Sequence, residues 1–217
     1  MKPRAIILSG YGLNCEDETA FAFERAGAKA DIVHINDLKN LNKYQILCVP
    51  GGFSFGDDMG SGKAYANKLK NKLGNELEKF LMRDTLMIGI CNGFQILTQT
   101  GILPGALVWN DSGRYQSQWV EVDAVGKSPW LNNISRLPMP IAHGEGKYII
   151  DPKRLTVPAF RYVENPNGST DDIAGILGYN GRVLGMMPHP ERAQFGWQKG
   201  GLGLQIFKNA VRYFESR

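Results

Sequence analysis

The chain has 217 residues, 43% of them hydrophobic and 21% charged, with a formal net charge of +4. That balance describes an ordinary globular chain, large enough to bury a core without a metal or disulfide staple. Its lysines and arginines are dispersed, and the densest stretch, Lys63 to Lys79, also carries Glu76 and Glu78, which excludes the concentrated basic stripe of a nucleic-acid reader.

Three cysteines, Cys15, Cys48 and Cys91, are an odd number without paired spacing. They argue against a secreted disulfide framework and for a reducing, cytoplasmic setting. The start, Met1 to Arg4, is charged, but the apolar run Ala5 to Leu8 is too short for a signal peptide. No segment approaches the ~20 apolar residues that span a bilayer. Zinc-type Cys-x-x-Cys or His-x-x-x-His spacing is missing, so no metal is expected.

Along the chain, Ala5 to Leu8 reads as a buried strand ended by Ser9-Gly10-Tyr11-Gly12, followed by a helix over Glu16 to Ala26 that stops at Gly27. Ala30 to His34 and Ile46 to Val49 are the next strands, the latter ending at Pro50-Gly51-Gly52. One helix is predicted from Lys63 to Met82, a strand over Leu86 to Ile90, and a helix over Phe94 to Thr100. Apolar strands alternating with helices indicate a parallel sheet covered on both faces. From Leu103 to Thr156, Pro and Gly recur around β-like runs such as Trp119-Val120-Glu121-Val122, predicting antiparallel strands on one edge of that sheet. Ile173 to Leu177 and Arg182 to Met187 read as a hairpin, and Leu204 to Tyr213 as a final helix. With no repeat or linker, residues 1–217 are expected to form one domain.

The strongest local signal is Gly89-Ile90-Cys91-Asn92-Gly93. It falls where a predicted strand meets a predicted helix, the setting of a nucleophile elbow with Cys in the Ser position. The turn is tight, which demands small neighbours, and the helix N-terminus favours a thiolate. A packing Cys between structural glycines is the bland alternative.

A Cys nucleophile needs a base, and the chain has three histidines. His34, at a strand end, reads as structural. His143-Gly144-Glu145 and His189-Pro190-Glu191 each place a carboxylate two positions on, which in extended chain lies on the same side as the imidazole. Such a carboxylate fixes the tautomer and orientation of the ring. Pro188 and Pro190 lock the backbone around His189, whereas Gly144 and Gly146 leave His143 loose. His189 is therefore the preferred base.

Gly51 and Gly52, in the segment Pro50-Gly51-Gly52-Phe53-Ser54-Phe55-Gly56-Asp57, can bring backbone N–H groups close to a ligand. With the N–H of Asn92 they would form an oxyanion hole. Gly60-Ser61-Gly62-Lys63 imitates a phosphate loop, but Ala64 replaces the required Ser or Thr and Asp57 falls where its first Gly belongs.

Together these segments resemble the class I, triad-type glutamine amidotransferases. The matching motifs are the Pro50–Asp57 segment, Gly89-Ile90-Cys91-Asn92-Gly93-Phe94-Gln95, Ala142-His143-Gly144-Glu145-Gly146 and Met187-Pro188-His189-Pro190-Glu191-Arg192. The Phe53-Ser54-Phe55-Gly56-Asp57 and Ala142–Gly146 segments are similar to the glutaminase subunits of phosphoribosylformylglycinamidine synthase. The resemblance implies a flavodoxin-like three-layer α/β sandwich with a mostly parallel sheet and an antiparallel extension. It implies Cys91 as nucleophile, His189 as base and Glu191 as its orienter. It also implies glutamine contacts from Gly51, Gly52, Phe53, Asn92 and Gln95, and a partner-facing loop at His143 and Glu145. Ammonia released from glutamine would pass to a synthetase subunit that binds ATP and Mg²⁺, with a small accessory subunit as a further partner and no cofactor in this chain. Ser9-Gly10-Tyr11-Gly12-Leu13-Asn14-Cys15 departs from the Gly-Ser-Asn-Cys form of many members. A glutaminase subunit for another synthetase, a standalone α/β cysteine hydrolase and a non-catalytic flavodoxin-like binding module are the rival readings.

Overall fold

The computed structural model describes residues 2–57, 60–151 and 153–216. Its elements are β1 (Arg4–Ser9), α1 (Glu16–Ala26), β2 (Lys29–His34), β3 (Ile46–Val49), α2 (Lys63–Leu73), α3 (Asn75–Met82), β4 (Leu86–Ile90) and α4 (Asn92–Thr100). They continue as β5 (Ala106–Val108), β6 (Gln116–Ala124), β7 (Arg136–His143), β8 (Lys147–Ile149), β9 (Val157–Tyr162), β10 (Ile173–Gly178), β11 (Val183–Met186) and α5 (Leu204–Glu215).

Nine strands form one sheet in the order β2-β1-β3-β4-β11-β10-β9-β6-β7, and β5 pairs separately with β8. The strands β2, β1, β3, β4 and β11 run parallel. From β11 outward every pairing is antiparallel. The architecture is thus a mostly parallel α/β sheet carrying an antiparallel extension on one edge, as the apolar runs and the Pro/Gly-rich middle predict. Every side chain of β3 and β4 is buried. Because successive side chains alternate between faces, this burial requires cover on both sides of the sheet. The cover comes from helices that pair off, α1 with α5 and α2 with α4. Phe23 of α1 meets Phe207 of α5 edge-on, with ring centroids 4.9 Å apart, a geometry worth roughly 0.5–1.5 kcal/mol beyond the area it buries.

The parallel register fixes where chemistry can occur. Val49 lies opposite Gly89, and Ile90 opposite Met186, so β1, β3, β4 and β11 release their following loops at the same end of the sheet, where open α/β sheets bind ligands.

One expectation fails. The single helix over Lys63 to Met82 is broken at Gly74 (φ 38°, ψ −118°), which separates α2 from α3. The apolar periodicity runs through the break, so the pattern alone hides it. The false phosphate loop also has a packing explanation. A Cβ at Gly62 would come within 2.8 Å of the Ile96 backbone nitrogen, so the glycine lets α2 start hard against α4.

The same close approach places α4 on the sheet. A Cβ on Gly93 would meet the Val49 carbonyl oxygen at 1.9 Å, and one on Gly89 the Gly93 carbonyl at 2.7 Å. Both backbones must shift to admit a methyl group. Gly93→Ala is expected to destabilise the fold by at least about 1–3 kcal/mol, the range for overpacking. Gly196→Ala, where nothing lies within 4 Å, should stay within about 0.5 kcal/mol of wild type. Urea midpoints of the two variants check this contrast.

Candidate active site

Cys91 stands between β4 and α4 with φ 50° and ψ −108°, a left-handed conformation that L-residues seldom adopt. The strain is held on both sides. Cys91 N–H donates to Met186 O at 2.8 Å, extending the β4–β11 ladder, and its carbonyl accepts from Phe94 N–H and Gln95 N–H. The thiol is 5% exposed and donates to Ala142 O at 3.6 Å. The first turn of α4 contains no acidic residue to offset the field of its N-terminus.

His189 follows β11. Its N–H donates to Pro140 O at 2.9 Å, which fixes the backbone, and its side chain is buried. The ring Nδ1 donates to Glu191 Oε1 at 2.5 Å. The pair forms by a different route from the one the spacing suggests: Pro190–Arg192 is a 3-10 turn, and this turn brings the carboxylate under the ring. Burial alone would lower the affinity of His189 for a proton. The Glu191 carboxylate, then the Cys91 and Cys15 sulfurs, outweigh it and hold the imidazole well above its ordinary pKa.

The Gly51-Gly52 loop closes over this pair. Gly52 (φ 152°) admits no side chain, because a Cβ would meet Gly12 O at 2.4 Å. The loop is stitched to the one after β1 by bonds from Asn14 N–H to Gly51 O and from Phe53 N–H to Gly12 O, neither of which uses the Gly52 N–H. Asn92 Oδ1 accepts from Ser54 N–H at 3.1 Å, tying the same loop to the elbow helix. Phe53 is half-exposed, its ring 6.1 Å from that of Tyr115.

Gln95 is buried and engaged, donating to Glu145 O at 2.6 Å and accepting from Asn92 Nδ2 at 2.7 Å. It therefore joins the elbow to the His143 segment. His143 itself corrects one expectation. Its side chain is buried at 2% exposure. It is not loose: its Nδ1 lies 3.1 Å from Asn110 Oδ1, and its carbonyl accepts from Asn110 Nδ2. Burial, with His189 nearby, pushes its pKa down to about 4, so it is neutral. His34 is structural as read, its Nδ1 accepting from Asn36 N–H.

Two residues escaped the sequence reading. Cys15 is buried, and its sulfur, a His189 ring nitrogen and a Glu191 oxygen all lie within 4.8 Å of one another. Arg192 bridges Cys15 and Glu18. The available signal was positional: Cys15 ends the loop after β1, which opens at the same sheet end as the others. Chemically, the assembly offers a thiol on a strained elbow, an imidazole able to carry its proton, a carboxylate that orients the imidazole, and glycine N–H groups for a developing oxyanion.

Proteins similar over the full length support that chemistry. "Phosphoribosylformylglycinamidine synthase subunit PurQ" of Methanococcus maripaludis is 40% identical across 99% of both chains. The protein of the same name from Thermotoga maritima is 38% identical across 99% of this chain and 100% of its own. A chain in the solved structure of PurLQS from Thermotoga maritima superposes with a TM-score of 0.91 at 36% identity, over 99% of this chain and 100% of that one. A glutamine amidotransferase from the same organism, at 16% identity and a TM-score of 0.62 over 100% of this chain and 84% of that one, shares the fold. The match extends to a family model over residues 2–214, and the chain belongs to that family, the CobB/CobQ-like glutamine amidotransferase domains.

Proposed function

We propose that this chain is a glutaminase subunit of phosphoribosylformylglycinamidine synthase, releasing ammonia from glutamine for a synthetase partner in cytoplasmic purine biosynthesis. The observation that carries the chemistry is the strained Cys91 elbow beside the buried His189–Glu191 pair. The names of the full-length relatives and of the PurLQS structure support the pathway and the partner. ATP and Mg²⁺ belong to the partner in this reading, and a small accessory subunit completes the complex.

In the reaction, His189 stands protonated, and the Cys91 sulfur attacks as the thiolate at the side-chain amide carbon of glutamine. The N–H groups of Gly52 and Asn92 take the oxyanion, while Gly51, Phe53 and Gln95 line the substrate pocket. The imidazolium gives its proton to the departing nitrogen, the C–N bond breaks, and ammonia leaves a γ-glutamyl thioester. Water, deprotonated by His189, then opens the thioester. Glutamate departs and the thiolate is restored. Glu191 keeps its hydrogen bond to Nδ1 and so orients and stabilises the imidazolium.

With the synthetase present, Cys91→Ala should abolish glutamine hydrolysis, and a glutamine-mimicking diazo ketone should label wild type at Cys91. Turnover by the variant would overturn the reading. His189→Ala and Glu191→Gln should each lower kcat by at least about 10²-fold, the scale of a lost general base, and His143→Asn should not match them. An equal or larger loss in His143→Asn would reassign the base.

His143 has a separate signature in stability. Its pKa falls from 6.5 to about 4 on folding, so between those values the unfolded chain binds the extra proton. Its contribution is complete above pH 6.5 and is lost as the pH falls toward 4, up to about 3 kcal/mol. His189 has the opposite sign: its raised pKa favours folding at acid pH and fades as the pH rises through the raised value. Urea unfolding of wild type and His143→Asn between pH 4 and pH 7 should therefore give a difference that shrinks toward acid.

A further inference from the structure

We propose that Cys15 is a positioning residue for this reaction: its sulfur, braced by Arg192, backs the His189 ring and steadies the imidazolium. The inference rests on the assignment of His189 as the base.

The geometry starts from Gly51. A Cβ there would come within 2.8 Å of His189 Cε1 and 3.0 Å of Cys15 Sγ. Sulfur and ring edge therefore border the same small space, closed from outside by the Gly51 backbone, whose carbonyl accepts from both Asn14 N–H and Cys15 N–H. The thiol donates to Asn14 Oδ1 at 3.5 Å, which turns its hydrogen away and leaves its lone pairs for other neighbours. Arg192 Nη2 donates to one at 3.1 Å, and Arg192 Nε is held by Glu18 Oε1 at 2.6 Å. Gln194 doubles the tie, donating to both the Glu18 and the Glu191 carbonyls.

An imidazolium buried away from solvent needs electron-rich neighbours. Glu191 supplies a full charge at Nδ1, and the Cys15 sulfur adds a polarisable acceptor beside the ring. Cys15 suits this role better than that of a second nucleophile. Burial pushes its thiol pKa up, and Glu16, Asp17 and Glu18 in the first turn of α1 cancel the helix field that would otherwise favour its thiolate. Arg192, fixed by Glu18, keeps the sulfur in register with the ring.

The test is the pH dependence of Cys91 alkylation by iodoacetamide, read by peptide mass on the full chain, alongside kcat and KM with the synthetase. Cys15→Ala should lower Cys91 alkylation at neutral pH about three- to tenfold, the scale of one modest hydrogen bond. It should also move the alkaline limb of kcat to lower pH with KM unchanged, and Cys15→Ser should restore part of the loss. A purely structural role would reduce the active fraction without moving the limb. Arg192→Lys, which keeps the buried thiol and the positive charge but removes the planar bridge from Glu18 to the sulfur, should shift the limb the same way and decides the matter if Cys15→Ala fails to fold. Unmoved profiles in the folded variants, or alkylation at Cys15 instead of Cys91, would overturn the inference. A wild-type Cys91 that resists both iodoacetamide and the diazo ketone would instead overturn the glutaminase reading.

Discussion

The close approach of the start of the Asn92–Thr100 helix to the Val49 carbonyl governs the rest of the structure. Only a glycine at 93 lets the helix come so near the ends of β3 and β4. With the helix there, the residue joining it to β4 has no relaxed conformation, and Cys91 takes φ 50° under restraint from Met186 O on one side and the first helical turn on the other. Strain of this kind costs about 1–3 kcal/mol and persists only when its surroundings overdetermine it. Here a buried sheet and a packed helix do so. The thiol is thereby presented by two rigid elements rather than a free loop, which is how a reacting group is held to the tolerance that chemistry needs.

That placement also separates the two thiols near the base. Cys91 and Cys15 both directly precede a helix, and both lie close to His189. The first turn after Cys15 carries three carboxylates, and the first turn after Cys91 carries none. The same backbone field therefore reaches one sulfur and is neutralised at the other. Cys48, buried in the middle of β3, has neither helix nor base and is a core residue whose ionisation burial opposes.

Much of this was readable in the sequence, for a physical reason. Strands buried on both faces must be apolar throughout, so β1, β3 and β4 show as short unbroken runs, and the helix at Glu16–Ala26 opens on an acidic first turn and is ended by Gly27. The glycines around Cys91 and the prolines around His189 were legible because tight turns restrict residue choice. What stayed hidden depends on contacts between distant segments. The break at Gly74 leaves the apolar period intact. The burial of His143 depends on Asn110, thirty-three positions away in sequence, and no local pattern announces it. Cys15 joins the site only because β1 and β11 are parallel strands of one sheet, a fact of topology. The Glu191 pairing was anticipated for an incomplete reason: the spacing was informative, but a 3-10 turn, not an extended strand, makes it work.

The two buried histidines show what then decides function. His143 and His189 are equally hidden from solvent, each at 2% exposure, and each has a ring nitrogen hydrogen-bonded to a side-chain oxygen. Desolvation opposes the charged form of both. Yet one is pushed down to about 4 and the other is held well above its ordinary value. The principal difference is the partner: an amide oxygen on Asn110 is only a dipole, whereas the Glu191 carboxylate carries a full charge that low-dielectric surroundings amplify. A neutral His143 serves to hold Asn110 and the segment over Gln95, and could not deliver a proton to departing ammonia near neutral pH. His189 can, because its carboxylate makes the protonated ring the favoured state of a site that would otherwise reject it. In the proposed reaction the choice of base is therefore set by the charge of one neighbour, and the proline-bounded turn that brings Glu191 to His189 is as much a part of that chemistry as the imidazole.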